Sequence, residues 1–187
     1  MPKTLDTAAD GVTVKMKVSK LDAARRQLET AVRLYFFDVD PVSTHTLAAA
    51  AYGVLRDLNN ADGGPPTMHD SLDETIEPDF LPEFRRFLSE AQNFFKHANR
   101  DPDAVLDFNV AHTESILLDA CWTYDRLAGE KVPLLTTFEI WGALTFGASY
   151  IRHDIEPATD AAIRQRYAKL PKREFLDKFL PVAMDPR

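Results

Sequence analysis

Residues 19–36 read SKLDAARRQLETAVRLYF, and this stretch gives the clearest indication of the fold. Apolar residues recur at the three- and four-residue steps of one helix face, at Leu21, Ala24, Leu28, Ala31 and Tyr35. Two arginines and a glutamate follow one another at steps of four on the polar side, where such pairs stabilise a helix. We therefore predict an amphipathic helix that begins after Ser19 and ends before Asp38.

Further helices are predicted along the rest of the chain. Asp40 and Pro41 suit the cap and first turn of a second helix that runs to about Leu58, and the Asn-, Gly- and Pro-rich residues 59–67 indicate an exposed loop. Later helices are expected at about 82–100, at about 110–127, from a capping box formed by Thr136 and Glu139, after Pro157 and after Pro171.

The amino-terminal segment has a different pattern. From Val12 to Val18 apolar and polar residues alternate, which is typical of a short, half-buried β-strand. Such a strand needs a partner, which could be its twin in a homodimer or its own bundle. The fold prediction is an all-α bundle of five to seven helices with a short N-terminal β-strand extension. We expect one domain over residues 1–187, with an extension at 1–18, a core bundle at 19–128 and additional helices at 129–187.

Composition restricts the classes of protein that the chain can represent. It has 187 residues, 45% of them hydrophobic, which is enough to bury a core. A formal net charge of −7 argues against broad electrostatic capture of nucleic acid or of anionic membranes. One cysteine, Cys121, excludes an internal disulfide and fits a reducing compartment. With no secretory signal or membrane span evident, we expect a cytoplasmic protein that does not interact with membranes.

Most motifs that carry chemistry are missing. There is no Gly-rich phosphate loop and no Gly-x-Ser-x-Gly, and Cys121 lies on an apolar helix face, as a buried residue would. The sequence therefore suggests neither a cofactor nor a metal site. A loose group formed by His97, Asp101, His112 and His153-Asp154 leaves a metal-dependent hydrolase as an outlying hypothesis, because these ligand types lack ligand spacing.

The segment 84–100 carries the most ordered set of polar residues. Steps of four, three, four and three place five of them along one helix stripe: Arg86, Glu90, Asn93, His97 and Arg100. An imidazole can transfer a proton near neutral pH, and guanidinium groups can hold phosphate oxygens, so the stripe has the parts for work on a phosphodiester. The alternative is a solvated helix face with intrahelical ion pairs such as Arg86 to Glu90.

Two segments resemble a known superfamily. Gln92-Asn93-Phe94-Phe95-Lys96-His97 resembles the Arg-Asn-x-x-x-His signature of HEPN proteins, which are small helical bundles found in prokaryotic toxins, abortive-infection proteins and CRISPR ribonucleases. The segment from Asp40 to Ala48 resembles the second helix of bacterial HEPN-like proteins. The likeness covers about residues 20–128.

The resemblance implies a homodimer in which the motif faces of two bundles meet across the two-fold axis. It implies metal-independent cleavage of RNA by attack of the ribose 2′-hydroxyl. His97 then matches the motif histidine and Asn93 the motif asparagine, with Arg86 as a candidate guanidinium. Gln92 stands where the family has arginine, and glutamine brings no charge to a phosphate. We take His97, Asn93 and Arg86 as candidate catalytic residues.

Weaker candidates for substrate binding are Gln92, Lys96, Arg100 and His45. His45 has an alternative role, as a buried histidine that forms a hydrogen bond with a neighbour. Two functions stay open at this point. One is a HEPN-like module that binds RNA or a nucleotide, with weak or lost ribonuclease activity. The other is a non-enzymatic interaction protein, antitoxin-like or scaffold-like, in which the polar stripe contacts a protein partner.

Overall fold

The computed structural model describes residues 15–72, 76–99, 101–146 and 161–185, and within these ranges it contains seven helices and no strand. In chain order they are α1 (Lys20–Phe36), α2 (Pro41–Ala61), α3 (Leu81–Lys96), α4 (His112–Ala128), α5 (Pro133–Phe146), α6 (Ala161–Tyr167) and α7 (Lys172–Met184). The predicted all-α fold is therefore confirmed. Of the predicted N-terminal strand, residues 15–18 have irregular backbone, and residues 12–14 lie outside the described ranges.

The first two helices begin where the sequence predicts. The Ser19 hydroxyl accepts a hydrogen bond from the backbone N–H of Asp22 at 3.0 Å and so caps α1. The Asp40 carboxylate accepts one from the backbone N–H of Ser43 at 2.8 Å, and Pro41 occupies the first turn of α2. α1 packs against α2, and both contact α4, so these three helices form the centre of the bundle.

The second helix runs beyond its predicted end. Asn59, expected in an exposed loop, is 1% exposed and lies in the last turn of α2. Its side-chain amide donates a hydrogen bond to the carbonyl oxygen of Pro65 at 2.8 Å, and its Oδ1 accepts one from Arg126 Nε at 2.8 Å. These partners satisfy the amide inside the protein, so the asparagine extends the helix and holds the loop that follows against it.

The predicted capping box on the fifth helix is wrong. α5 begins at Pro133, and the backbone N–H of Thr136 donates to the carbonyl oxygen of Val132 at 2.9 Å, so Thr136 is already inside the helix. Glu139 lies in the middle of α5 and is 2% exposed. Proline suits a helix start because its missing N–H is not needed there, and this outweighs the Thr-x-x-Glu spacing.

The core is built largely from aromatic rings. Those of Tyr35, Phe36, Phe138 and Trp141 pack against one another, with ring centroids 5.1–5.8 Å apart. α7 joins this core through Phe175, whose ring stacks on Phe36 at 6.2 Å. Trp141 is 6% exposed and belongs to this core. None of the described helices is both long enough and apolar enough to cross a membrane.

The third helix lies at the side of the bundle against α2. Leu88 and Ala91 are its buried contacts with the rest of the protein. The helix ends at Lys96, earlier than predicted, and His97 follows in extended backbone while its N–H donates to the carbonyl oxygen of Asn93 at 3.1 Å. Histidine and asparagine are weak helix formers, and the Asp101-Pro102 pair that follows favours extended backbone. His97 therefore lies at the start of a loop.

Candidate functional site

A groove of about 680 Å³ runs along the outer side of α3. One wall is α3 itself, and the other is formed by residue 99 and residues 101–106, which follow it. The α3 wall presents Arg86, Ser89, Glu90, Asn93, Phe94 and His97, and the loop wall presents Asn99, Asp101, Ala104, Val105 and Leu106. We call this the α3 groove.

The three candidate catalytic residues all line the α3 groove. Arg86, Asn93 and His97 are exposed to solvent. Their side chains form no hydrogen bond or ion pair with any of the described residues, and Arg86 does not form the intrahelical ion pair with Glu90 that a solvated helix face would contain. Their polar groups are therefore available to a ligand.

The spacing of these residues affects what they can bind. Arg86 and His97 are eleven positions apart (97 − 86), which corresponds to about 16 Å along a helix. Arg86 lies near one end of the α3 groove and His97 at the other, with Asn93 between them. This arrangement suits an extended ligand that contacts several groups in turn better than a single phosphate held by both side chains.

The charges in the α3 groove are mixed. Arg86 is a cation, whereas Glu90 and Asp101 are carboxylates. The carbonyl end of α3, near His97, adds partial negative charge. Phe94 contributes an aromatic ring to the same surface. The described part of the groove thus offers one strong phosphate-binding group, several hydrogen-bond acceptors and a stacking surface.

Three of the weaker candidates, Gln92, Lys96 and Arg100, come from α3 or the segment that follows it. Gln92 is half-buried and Lys96 is exposed, and neither lines the α3 groove. Arg100 lies outside the described residues. His97 reaches the groove from a loop rather than from the helix.

His45 lies in the interior of the protein. Its side chain is 0% exposed, and Nδ1 lies 3.0 Å from Thr113 Oγ1 on α4. The rings of Phe95 and Phe108 pack edge-on against it. Substrate contact by His45 does not fit this burial, and the alternative of a buried histidine bonded to a neighbour is the one that the structure shows.

Two further histidines lie near His45. The ring of His112 is 5.9 Å away, and His69 packs against the ring of Tyr52 at 5.1 Å and interacts electrostatically with His112. We call His45, His69 and His112 the histidine cluster. Burial lowers the pKa of all three, to about 4 for His45 and for His69, so the cluster is neutral at pH 7.

Sequence reasoning missed the histidine cluster because its members come from separate segments with no shared spacing. His112 had been grouped with His97 and Asp101, whereas the structure places it beside His45. His153 and Asp154 lie outside the described residues. Among the residues that the structure describes, no group of three or more His, Cys, Asp or Glu side chains is arranged to hold a metal ion.

A buried acidic pair was also missed. Glu139 and Asp125 share Lys131, whose Nζ lies 3.4 Å from Glu139 Oε2 and also contacts Asp125 Oδ2. Burial, together with the negative charge of Asp125, raises the pKa of Glu139 to about 8. Cys121 is fully buried near this pair, and burial raises the pKa of its thiol, so the prediction of an inert buried cysteine is confirmed.

Comparison with known proteins identifies no relative, since no family model, no curated protein and no solved structure matches the chain. The resemblance to HEPN proteins accordingly stays a prediction from sequence.

Proposed function

We propose that the protein is a HEPN-like, homodimeric helical module that binds single-stranded RNA or a nucleotide in the α3 groove. The observation that carries this proposal is the groove itself, in which Arg86, Asn93 and His97 present unpaired polar groups along one wall. The HEPN resemblance also matches His97 and Asn93, whereas Arg86 comes from the predicted helix stripe.

Each kind of side chain in the groove suits a different part of a nucleotide. The Arg86 guanidinium can bind phosphate oxygens through two parallel hydrogen bonds. The Asn93 amide can donate to and accept from a base edge, and the Phe94 ring can stack on a base. His97 can accept a hydrogen bond from a ribose hydroxyl. A single strand exposes these groups, whereas a duplex buries its base edges.

Charge favours a short ligand over a long one. Among the described residues that line the groove, Glu90 and Asp101 are carboxylates and Arg86 is the one cation, and the chain as a whole carries −7. Polyanion binding depends on many cationic contacts, which the described lining does not offer. We therefore propose that one or a few nucleotides occupy the α3 groove.

Binding is a better proposal than efficient cleavage. The motif arginine would hold the phosphate next to the histidine, but Gln92 occupies that position and does not line the α3 groove. Arg86 precedes His97 by eleven residues, which is about 16 Å at the rise of a helix. In the proposed homodimer the partner's groove would have to supply the missing charge, so we expect cleavage to be weak or absent.

The test combines cleavage, binding and solution mass. Purified protein is incubated with mixed RNA substrates in chelator, as wild type and as His97→Ala, and its mass is measured by light scattering. We expect a dimer that binds RNA, with any cleavage lost in His97→Ala. A folded monomer that neither binds nor cleaves RNA would overturn the proposal.

A second candidate function is protein binding, and one observation favours it. Val105, on the loop wall of the α3 groove, has 92% of its side chain exposed. An exposed aliphatic residue on a groove rim is a contact that a protein partner would bury. Val105→Asp should then abolish partner binding while the protein stays folded, and unchanged partner binding would exclude this alternative.

A further inference from the structure

Both walls of the α3 groove are attached to the bundle at the same buried ring. On the α3 wall, Phe94 faces the groove and its neighbour Phe95 packs edge-on against His45, with centroids 5.8 Å apart. The loop wall ends at Leu106, and Phe108, two residues later, packs edge-on against His45 at 5.0 Å. Phe95 and Phe108 also contact each other, at 5.2 Å. His45 thus lies where the two walls meet the bundle.

The orientation of His45 is fixed from the other side. Nδ1 is hydrogen-bonded to Thr113 Oγ1 at 3.0 Å, which ties the ring on α2 to α4. Nε2 is buried without a hydrogen-bond partner among the described residues. An unprotonated Nε2 leaves only a lone pair unsatisfied, so the neutral ring carries its proton on Nδ1 and donates it to Thr113. The imidazole ring is then held in its T-shaped contacts with Phe95 and Phe108.

We propose that His45 is the positioning residue of the α3 groove, setting the separation of its two walls and through it the affinity for the ligand. The effect of His45 on ligand binding rests on the proposed function, whereas its effect on the width of the groove does not. His45 acts through the two phenylalanines and does not touch the ligand.

Two substitutions distinguish the effect of the His45 ring from the effect of its hydrogen bond. His45→Ala removes both edge-on contacts and leaves a cavity between the walls. His45→Phe keeps an aromatic ring of similar shape and loses only the bond to Thr113, whose hydroxyl can turn to a backbone carbonyl of the turn that precedes α4. We expect the alanine variant to loosen the groove and the phenylalanine variant to preserve it.

The width of the groove can be measured without any ligand. Spin labels on Glu83→Cys and Asp103→Cys, in a Cys121→Ala background, report the distance between α3 and the loop from exposed positions that do not line the groove. The distance distribution should broaden in His45→Ala and match wild type in His45→Phe. Leu28→Ala, a fully buried change in α1, is the control that destabilises the core and should leave the distribution unchanged.

Affinity for a labelled single-stranded RNA is then measured on the same variants. We expect a loss of roughly tenfold in His45→Ala, recovery in His45→Phe and no loss in Leu28→Ala. If His45→Ala does not fold, Phe108→Ala replaces it and should broaden the distribution in the same way.

The results distinguish the two proposals. An unchanged distribution in His45→Ala, or a distribution in His45→Phe as broad as in the alanine variant, would overturn the role of His45. A broadened distribution in a protein that binds no RNA would support that role and overturn the proposed function instead.

Discussion

The buried carboxyl group of Glu139 should make the stability of the protein depend on pH. Its side chain is 1% exposed, and Lys131, the cation beside it among the described residues, is shared with Asp125. Burial, reinforced by the charge of Asp125, raises its pKa from 4.5 to about 8. The folded protein therefore binds this proton more tightly than the unfolded chain does.

The direction and size of the effect follow from that difference. The stabilisation is complete below the unfolded pKa of 4.5 and is lost as pH rises through the folded pKa near 8. At about 1.4 kcal/mol for each pKa unit, a shift of about 3.5 units sets an upper limit of about 5 kcal/mol. Lys131 is 63% exposed and can adjust to the carboxylate, so we expect about 2 kcal/mol.

The substitution Glu139→Gln isolates this contribution. Glutamine keeps the shape of the protonated acid, can donate to Asp125 and does not titrate. The free energy of unfolding is measured in urea at pH 5 and at pH 8. From the lower to the higher pH it should fall by about 2 kcal/mol more in wild type than in Glu139→Gln. Asp57→Asn, at an exposed carboxylate, is the matched control and should show no such difference from wild type. An equal change in the free energy of unfolding of wild type and Glu139→Gln between the two pH values would contradict the raised pKa of Glu139.

Three other predictions concern the packing around the site. Tyr52→Phe removes the hydrogen bond to Asp119 Oδ2 at 2.9 Å and should lower the free energy of unfolding in urea by about 1–3 kcal/mol; an unchanged value would contradict the network. Gly142→Ala places a Cβ too close to the Leu118 side chain and should cost about 1–3 kcal/mol, seen as a lower melting temperature, whereas an unaltered melting temperature would contradict this close packing. The histidine cluster has folded pKa values below the unfolded 6.5, so its contribution to stability is complete above pH 6.5 and is lost as pH falls toward 4. Imidazole proton resonances of His45 and His69 that titrate near 6.5 would disprove that burial.

The fold could be predicted largely because its helices obey local rules. Ser19 and Asp40 cap the first two helices as their sequence positions suggest, since a cap depends on neighbours within three residues. Asn59 and Glu139 were misread because their environments depend on distant partners. Arg126 makes Asn59 a buried helical residue, and the starting position of α5 turns a capping glutamate into a core residue.

The site was predictable in part for the same reason. The periodicity of α3 correctly places Arg86 and Asn93 on one surface, because helical spacing fixes which side chains share a face. His97 reaches the same groove although the helix stops before it. The burial of His45 was open in the sequence, since it depends on rings brought in by α3 and by the segment before α4.

The proposed binding site in the α3 groove is tested most directly by the binding of a fluorescently labelled single-stranded RNA, followed by anisotropy at several salt concentrations. Arg86→Ala is compared with Arg33→Ala, an exposed arginine on α1 outside the α3 groove. We predict that Arg86→Ala weakens binding roughly tenfold and reduces the salt dependence by about one phosphate contact, while Arg33→Ala binds as wild type does. Equal affinities of the two variants, or no binding by the wild type at low salt, would contradict it.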